Sequence, residues 1–123
     1  MDPTNGAFIV GSVGKLDRMI KTGELAIDVK NFRVRISGEP LELRLREFEL
    51  LVALAANPGE LKTREQLAAE VWGNAKATSS RTIDVQVGRL RATLAEKSSH
   101  EYIRTVKGFG YRLVPPDDPG APD

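Results

Sequence analysis

The chain has 123 residues, and its sequence predicts a small α+β domain: an N-terminal antiparallel sheet, three helices and a C-terminal β-hairpin. Three observations carry that prediction. Apolar residues alternate with period two early in the chain, recur with period 3.6 through its middle, and flank a glycine-bearing turn near its end. With 41% hydrophobic and 28% charged residues, the composition is that of one ordinary soluble domain with a single core. Residues 1–22 read as an N-terminal extension or linker, 23–115 as the folded domain, and 116–123 as an acidic, proline-rich tail.

Within 7–22, Ile9, Val13, Leu16 and Ile20 fall at helical spacing. Gly11 and Gly14 weaken that helix and Phe8-Ile9-Val10 equally suits a strand, so the segment stays unassigned. From Glu24 the pattern alternates. Leu25, Ile27 and Val29 share one face, as do Phe32, Val34 and Ile36, giving two half-buried antiparallel strands. Ser37-Gly38-Glu39 supplies a turn, and Leu41 and Leu43 around Glu42 suggest a third short strand.

Leu45, Phe48, Leu51, Val52 and Ala55 then line one face of a first helix, stopped by Asn57-Pro58-Gly59. Thr63 with Gln66 three residues on is a capping box that opens a second helix, whose buried stripe is Leu67, Ala68, Val71 and Trp72 and whose stop is Gly73-Asn74. After a polar loop, Ser79 or Ser80 caps a third, longer helix. Its Ile83, Val87, Leu90 and Leu94 lie within a sector of roughly 60°. Residues 102–106 and 111–114 pair across Lys107-Gly108-Phe109-Gly110, a tip whose two glycines permit positive φ.

Several function classes drop out. There is no cysteine and one histidine, which leaves no thiolate site and no multi-histidine metal site; His100 sits in a Ser-Ser-His-Glu run that reads as a solvated loop. The best enzymatic thread, Gly11-Ser12-Val13-Gly14-Lys15, fails as a phosphate loop, because Ile9 stands where a glycine is needed and Leu16 where Ser or Thr is needed. No catalytic residues, metal site or cofactor are therefore assigned. The apolar run 50–56 is about a third of the roughly 18 residues that span a bilayer, so no membrane association is expected. The acidic Asp2 and the lack of a basic flank argue against a secretory signal, which favours a cytoplasmic location.

The formal net charge of +1 hides an uneven distribution. Residues 1–77 hold 11 basic and 11 acidic side chains, residues 78–115 hold 7 and 3, and the tail holds 0 and 3. Opposite its apolar stripe the third helix carries Arg81, Val85, Gly88, Arg89 and Ala92, with Gln86, Arg91 and Thr93 on the flanks. Arg can fork to guanine in the major groove, Val can touch a thymine methyl, and glycine lets the backbone approach. Arg104, Lys107 and Arg112 continue the positive charge onto the hairpin. For the helix alone a solvated face is the plainer reading, and the hairpin cations move the balance towards a phosphate-binding surface.

Four stretches together resemble the winged helix-turn-helix effector domains of OmpR/PhoB-type response regulators: Leu43-Arg44-Leu45-Arg46-Glu47-Phe48-Glu49-Leu50-Leu51; Thr63-Arg64-Glu65-Gln66-Leu67 through Val71-Trp72-Gly73; Ser80-Arg81-Thr82-Ile83-Asp84-Val85 through Arg89-Leu90-Arg91; and Tyr102-Ile103-Arg104-Thr105-Val106-Lys107-Gly108-Phe109-Gly110-Tyr111-Arg112-Leu113. The resemblance covers about residues 23–115. It implies sequence-specific binding of double-stranded DNA for transcription regulation, with helix 80–96 in the major groove and wing 102–114 at the minor groove. Carried over by position, Val85, Arg89 and Lys107 would read bases, while Trp72, Arg81, Thr82, Gln86, Arg91, Thr105 and Tyr111 would contact the DNA backbone. Trp72 equally suits closing a core, and Tyr111 packing the wing. The resemblance also implies an RNA polymerase contact through loop 73–79 and a second copy on DNA direct repeats. A winged-helix protein-interaction module without specific DNA binding is the alternative.

The chain departs from the family pattern at three places. Arg44-Leu45 replaces the usual Thr-Pro opening of the first helix, which removes a cap and an N-terminal proline. Gly88 stands where Ser or Arg is common, and Lys107 where Arg is usual, without the planar guanidinium fork. Residues 1–22 are too short for a receiver domain with a phosphorylatable aspartate.

Overall fold

The computed structural model describes residues 19–74, 76 and 78–116; the unassigned stretch 7–18 and the tail beyond Pro116 lie outside these. Four strands, β1 (Met19–Thr22), β2 (Leu25–Asp28), β3 (Arg33–Ile36) and β4 (Glu39–Leu41), pair antiparallel in chain order. Then follow α1 (Leu45–Ala55), the two-residue β5 (Lys62–Thr63), α2 (Arg64–Leu67) with a π-helical turn Ala68–Trp72 continuing it, α3 (Ser80–Ala95), β6 (Ile103–Val106) and β7 (Gly110–Leu113). The last strands form a second sheet in the order β5-β7-β6.

The period-two reading holds where the strands form. Ile20, Leu25, Ile27, Val34, Ile36 and Leu41 are all buried on one sheet face, each such side chain contributing about 1.5–3 kcal/mol. Three readings are corrected. Met19–Thr22, assigned by sequence to the N-terminal extension, is β1, with Ile20 opposite Ile27. Phe32 does not share the strand face with Val34 and Ile36: it sits in the β2–β3 turn at φ 55° and is 48% exposed, its ring 5.0 Å from that of Phe48. The strand expected around Leu41 and Leu43 lies two residues earlier, at Glu39–Leu41, with Leu43 partly buried beyond it. Pro40 suits this strand because it pairs on one side only.

From Glu47 to Ala55 every residue of α1 is buried, as expected of a helix surrounded by other elements. Its first two residues are not, and the first is the most exposed. Leu45, expected on the core face, is 56% exposed; a helical side chain covers the surface one turn N-terminal to itself, and at the first position that lies off the end of the helix. The helix starts here without a cap side chain, since Arg44 offers only its carbonyl, to the Phe48 N–H at 2.8 Å.

At the capping box, the Gln66 N–H donates to Thr63 Oγ1 at 3.0 Å and the Thr63 N–H to Gln66 Oε1 at 2.7 Å. The second helix is not uniform, because its second half widens into the π turn before Gly73 ends it at φ 80°. Arg46 stabilises this turn from α1: its Nη1 donates to the Val71 carbonyl at 2.8 Å and its guanidinium lies 5.3 Å from the Trp72 ring centroid. On α3 the predicted stripe Ile83, Val87, Leu90 and Leu94 is buried as read, and Ser79 is the cap, accepting from the Thr82 N–H at 3.1 Å.

The two hairpin glycines serve different ends. Gly108 occupies the left-handed region at φ 86°, as expected of a turn glycine. Gly110 does not; a Cβ there would lie 2.0 Å from the Lys62 carbonyl oxygen and 2.8 Å from Thr63 Cα. Its missing side chain is what lets β5 pair with β7. His100 is likewise no solvated loop residue: its Nε2 is 2.7 Å from the Val114 carbonyl oxygen, and its ring meets Tyr102 edge-on at 4.8 Å. It thereby ties the chain leaving β7 to the segment entering β6. Gly110→Ala is expected to cost about 2 kcal/mol by forcing β5 and β7 apart, measured as a shift of the urea unfolding midpoint at constant slope.

Candidate nucleic-acid interface

The candidate site is built on the outer face of α3 and on the wing formed by β6, β7 and their turn. Because Ile83, Val87, Leu90 and Leu94 point into the core, helical geometry turns Arg81, Val85, Gly88, Arg89 and Ala92 outward, and all five are exposed. Val85 is 42% exposed. Among the described residues, Arg81, Arg89 and Lys107 make no side-chain hydrogen bond or ion pair. Thr82 is exposed, with its hydroxyl 2.9 Å from Ser79 Oγ, and Gln86 is half-buried.

Three of the remaining predicted contacts are joined to one another inside the protein. Arg91 crosses from α3 to β6: its Nε and Nη2 donate to the Ile103 carbonyl at 3.3 and 3.2 Å, and Nη2 also to Thr105 Oγ1 at 2.5 Å. Tyr111 is 4% exposed. Its hydroxyl donates to Asp84 Oδ1 at 2.5 Å, and the same oxygen accepts from Arg64 Nε at 2.8 Å. The guanidinium groups of Arg64 and Arg91 lie 5.3 and 5.4 Å from the Tyr111 ring centroid, each within reach of a cation–π attraction. Thus Arg91, Thr105 and Tyr111 come together as a positioning cluster that locks the wing to α3. Trp72 is half-buried against the core beneath Arg46, at the end of α2.

Asp84 and Arg64 are the members of this cluster that the sequence reading did not assign. Arg64 follows the capping Thr63, and its N–H also donates to the Phe109 carbonyl at 3.3 Å. Asp84 stands one residue after a core position of α3, where an acid in a basic stretch is the available signal. Burial acts to raise the Asp84 carboxyl, but the hydrogen bonds from Tyr111 and Arg64 with the charges of Arg64 and Arg91 outweigh it, and it titrates below its ordinary value. Tyr111 is pushed up, first by burial and then by its bond to Asp84. Away from the site, burial raises Glu49 against the opposing pull of Arg46, 3.0 Å away.

Among the described residues no group of His, Cys, Asp or Glu could hold a metal ion, and no helix is long and apolar enough to cross a membrane. The arrangement is one of presentation: a rigid helix and wing with free cations and small residues on a shared surface.

Two results follow for stability. Because the folded Asp84 carboxyl titrates below 3.8, its stabilising contribution is present above that value and is lost as pH falls through the folded value. Asp84→Asn should therefore cost about 1 kcal/mol near neutral pH, a modest figure because the side chain is 43% exposed and screened. In denaturant melts the gap to wild type should close below pH 3.8; a gap independent of pH would remove the charge from this account. Gly88 meets nothing within 4 Å of an added Cβ, so Gly88→Ala should stabilise the fold by about 1 kcal/mol, read as a rise in thermal midpoint.

Comparison with known proteins agrees with this geometry. Residues 38–113 match the family described as "Transcriptional regulatory protein, C terminal". The chain is 39% identical over 101 residues to the sensory transduction protein RegX3 of Mycolicibacterium smegmatis, covering 81% of this chain and 44% of that protein. It is 38% identical over 98 residues to the phosphate regulon transcriptional regulatory protein PhoB of Rhizobium meliloti, covering 80% and 43%. It thus spans less than half the length of these curated relatives. Among solved structures, the Klebsiella pneumoniae RstA DNA-binding domain in complex with the RstA box superposes with a TM-score of 0.70 at 32% identity, covering 79% of this chain and 97% of that one. The response regulator DrrB, a Thermotoga maritima OmpR/PhoB homolog, gives 0.68 at 33%, covering 78% and 44%. Helices α1 to α3 with the β6–β7 wing are therefore a winged helix-turn-helix, and the chain belongs to the OmpR/PhoB-type family of C-terminal transcriptional regulatory domains.

Proposed function

We propose that this domain binds double-stranded DNA in a sequence-specific manner to regulate transcription, with α3 in the major groove and the wing at the neighbouring minor groove. The observation that carries this reading is the set of exposed cations on α3 and the wing tip, Arg81, Arg89 and Lys107, none of which has a side-chain partner among the described residues. Arg89 and Val85 read base edges on the outward face of α3, where Arg forks to guanine and Val meets a thymine methyl. Lys107 enters the minor groove as a point charge. Arg81, Thr82 and Gln86 meet phosphates near the start of α3. Arg91, Thr105 and Tyr111 act on the DNA backbone chiefly by positioning, since their polar groups are already engaged. Trp72 lies at the edge of the same surface.

The wider reading has less to support it and rests on family membership. Loop 73–79 is the proposed RNA polymerase contact; within it Asn74 accepts from the Lys76 N–H at 3.0 Å through its side chain and from Thr78 Oγ1 at 2.9 Å through its carbonyl. A second copy on a direct repeat would double the contacts, and a DNA-binding role carries a cytoplasmic location with it. The domain boundaries follow the same reading, with the folded unit beginning at β1 rather than at residue 23.

Selection from a random duplex pool should enrich one motif, returning half-site spacing and copy number together. Arg89→Ala should then lose on the order of 1–3 kcal/mol at that motif and relax one base position, while Lys107→Ala weakens all duplexes more evenly and flattens the salt dependence. Equal loss for Arg89→Ala on specific and random DNA removes the base-reading role. Failure to enrich any motif, with no salt dependence of binding, favours a protein-interaction module docking on Val85, Gly88 and Ala92.

A further inference from the structure

The wing tip carries an apolar side chain that the fold does not use. Phe109 is 61% exposed, more than Met19, Phe32, Leu45 or Val85. Phe32 at least rests its ring on Phe48, whereas among the described residues no aromatic ring lies against Phe109. Its backbone, by contrast, is held on every side. The Phe109 N–H donates to the Val106 carbonyl at 2.9 Å, the Phe109 carbonyl accepts from the Arg64 N–H at 3.3 Å, and Gly108 before it is fixed in the left-handed region at φ 86°. Gly110 after it abuts the Lys62 carbonyl so closely that no Cβ fits. The main chain therefore cannot turn the ring inward.

With its backbone fixed, the aromatic has only its two χ angles to lose on being covered, and a cation two residues away on the same tip, Lys107, suits a polyanionic surface. Apolar wedges of this kind partly unstack a base step from the minor-groove side and kink the duplex, most easily at pyrimidine–purine steps. From the exposure of the ring, the fixed backbone beneath it and the neighbouring cation, we infer that Phe109 is a minor-groove wedge, pressing its ring against the sugar walls and a base step beside Lys107 and adding a preference for deformable sequence there. This rests on the DNA-binding reading above. It adds a specificity determinant that makes no hydrogen bond to a base.

The test uses the full chain and the duplex enriched from the random pool, with 2-aminopurine placed in turn at the steps flanking the wing. Wild type should raise 2-aminopurine emission at one step on binding. Phe109→Ala should abolish that rise, weaken binding about tenfold, equivalent to ~1.4 kcal/mol, and leave the salt slope unchanged; Phe109→Leu should restore part of both. The ring's exposure means that neither substitution disturbs the core, and thermal melts confirm it. Unchanged affinity and emission in Phe109→Ala overturn the wedge while leaving DNA binding in place. A loss of affinity that comes with a flatter salt slope and unaltered emission also overturns it, placing the effect on phosphates. If wild type shows no salt-dependent binding to any duplex, the DNA reading and the wedge fall together.

Discussion

One oxygen of Asp84 fixes the relative geometry of three elements at once, and with it the outer surface of α3 and the wing. Asp84 Oδ1 accepts from Arg64 on α2 and from Tyr111 on β7 while belonging to α3. A buried phenol needs an acceptor, which Asp84 supplies, and the carboxylate needs a neutralising partner, which Arg64 supplies. Arg91 completes the frame by bridging α3 to the Ile103 carbonyl and Thr105. Helix and wing are thereby held in one relative orientation, which matters for any ligand that must meet both surfaces at a fixed spacing. The neutralisation has a second effect. An unpaired carboxylate beside Arg81 and Arg89 would repel phosphates, whereas paired with Arg64 its charge is largely cancelled at short range.

The charge that the basic half carries differs from the charge it presents. Residues 78–115 have seven cations, yet Arg91 is held on the wing and Lys97 lies 3.0 Å from Glu39 at the end of the first sheet. Arg104 and Arg112 face each other across the β6–β7 ladder, with Nε of each buried. What projects from α3 and the tip is Arg81, Arg89 and Lys107. A phosphate-binding surface there is smaller and more focused than segment counting suggests, and its salt dependence is set by a few contacts, since counterion release scales with their number.

The architecture was legible because its signals are periodic. The β2 and β3 alternation, the α3 stripe and the Thr63–Gln66 box each specify a local structure that the tertiary packing also needs. The site was legible in part, since outward-facing positions on α3 follow from the buried ones. Contacts between distant segments were not. Two-residue β5 is too short for any pattern, β1 was hidden behind competing helical and strand spacings, and the π turn arises where Arg46 holds the Val71 carbonyl from another helix. Arg91 looks like a free cation in sequence and Tyr111 could be read either way, and only packing shows that Arg91 bonds to β6 and the Tyr111 hydroxyl to Asp84 on α3.

Glycine makes the same point in two opposite ways. At 110 its lack of a side chain answers an internal demand, the Lys62 carbonyl lying where a Cβ would be. At 88 there is no such demand, because the space above it is open, and a helix interior pays in stability for a glycine it does not need. Gly88 shares the outward face with Val85, an exposed apolar side chain, and Arg89, a cation without a side-chain partner among the described residues; the packing of the isolated fold requires none of the three. When choices the isolated fold does not require gather on one helix face while the opposite face is set by packing, the explanation is sought in what that face meets. On the proposed function, a close-approaching, polyanionic groove would account for all three residues together: the glycine by proximity, the valine by desolvation and the arginine by charge.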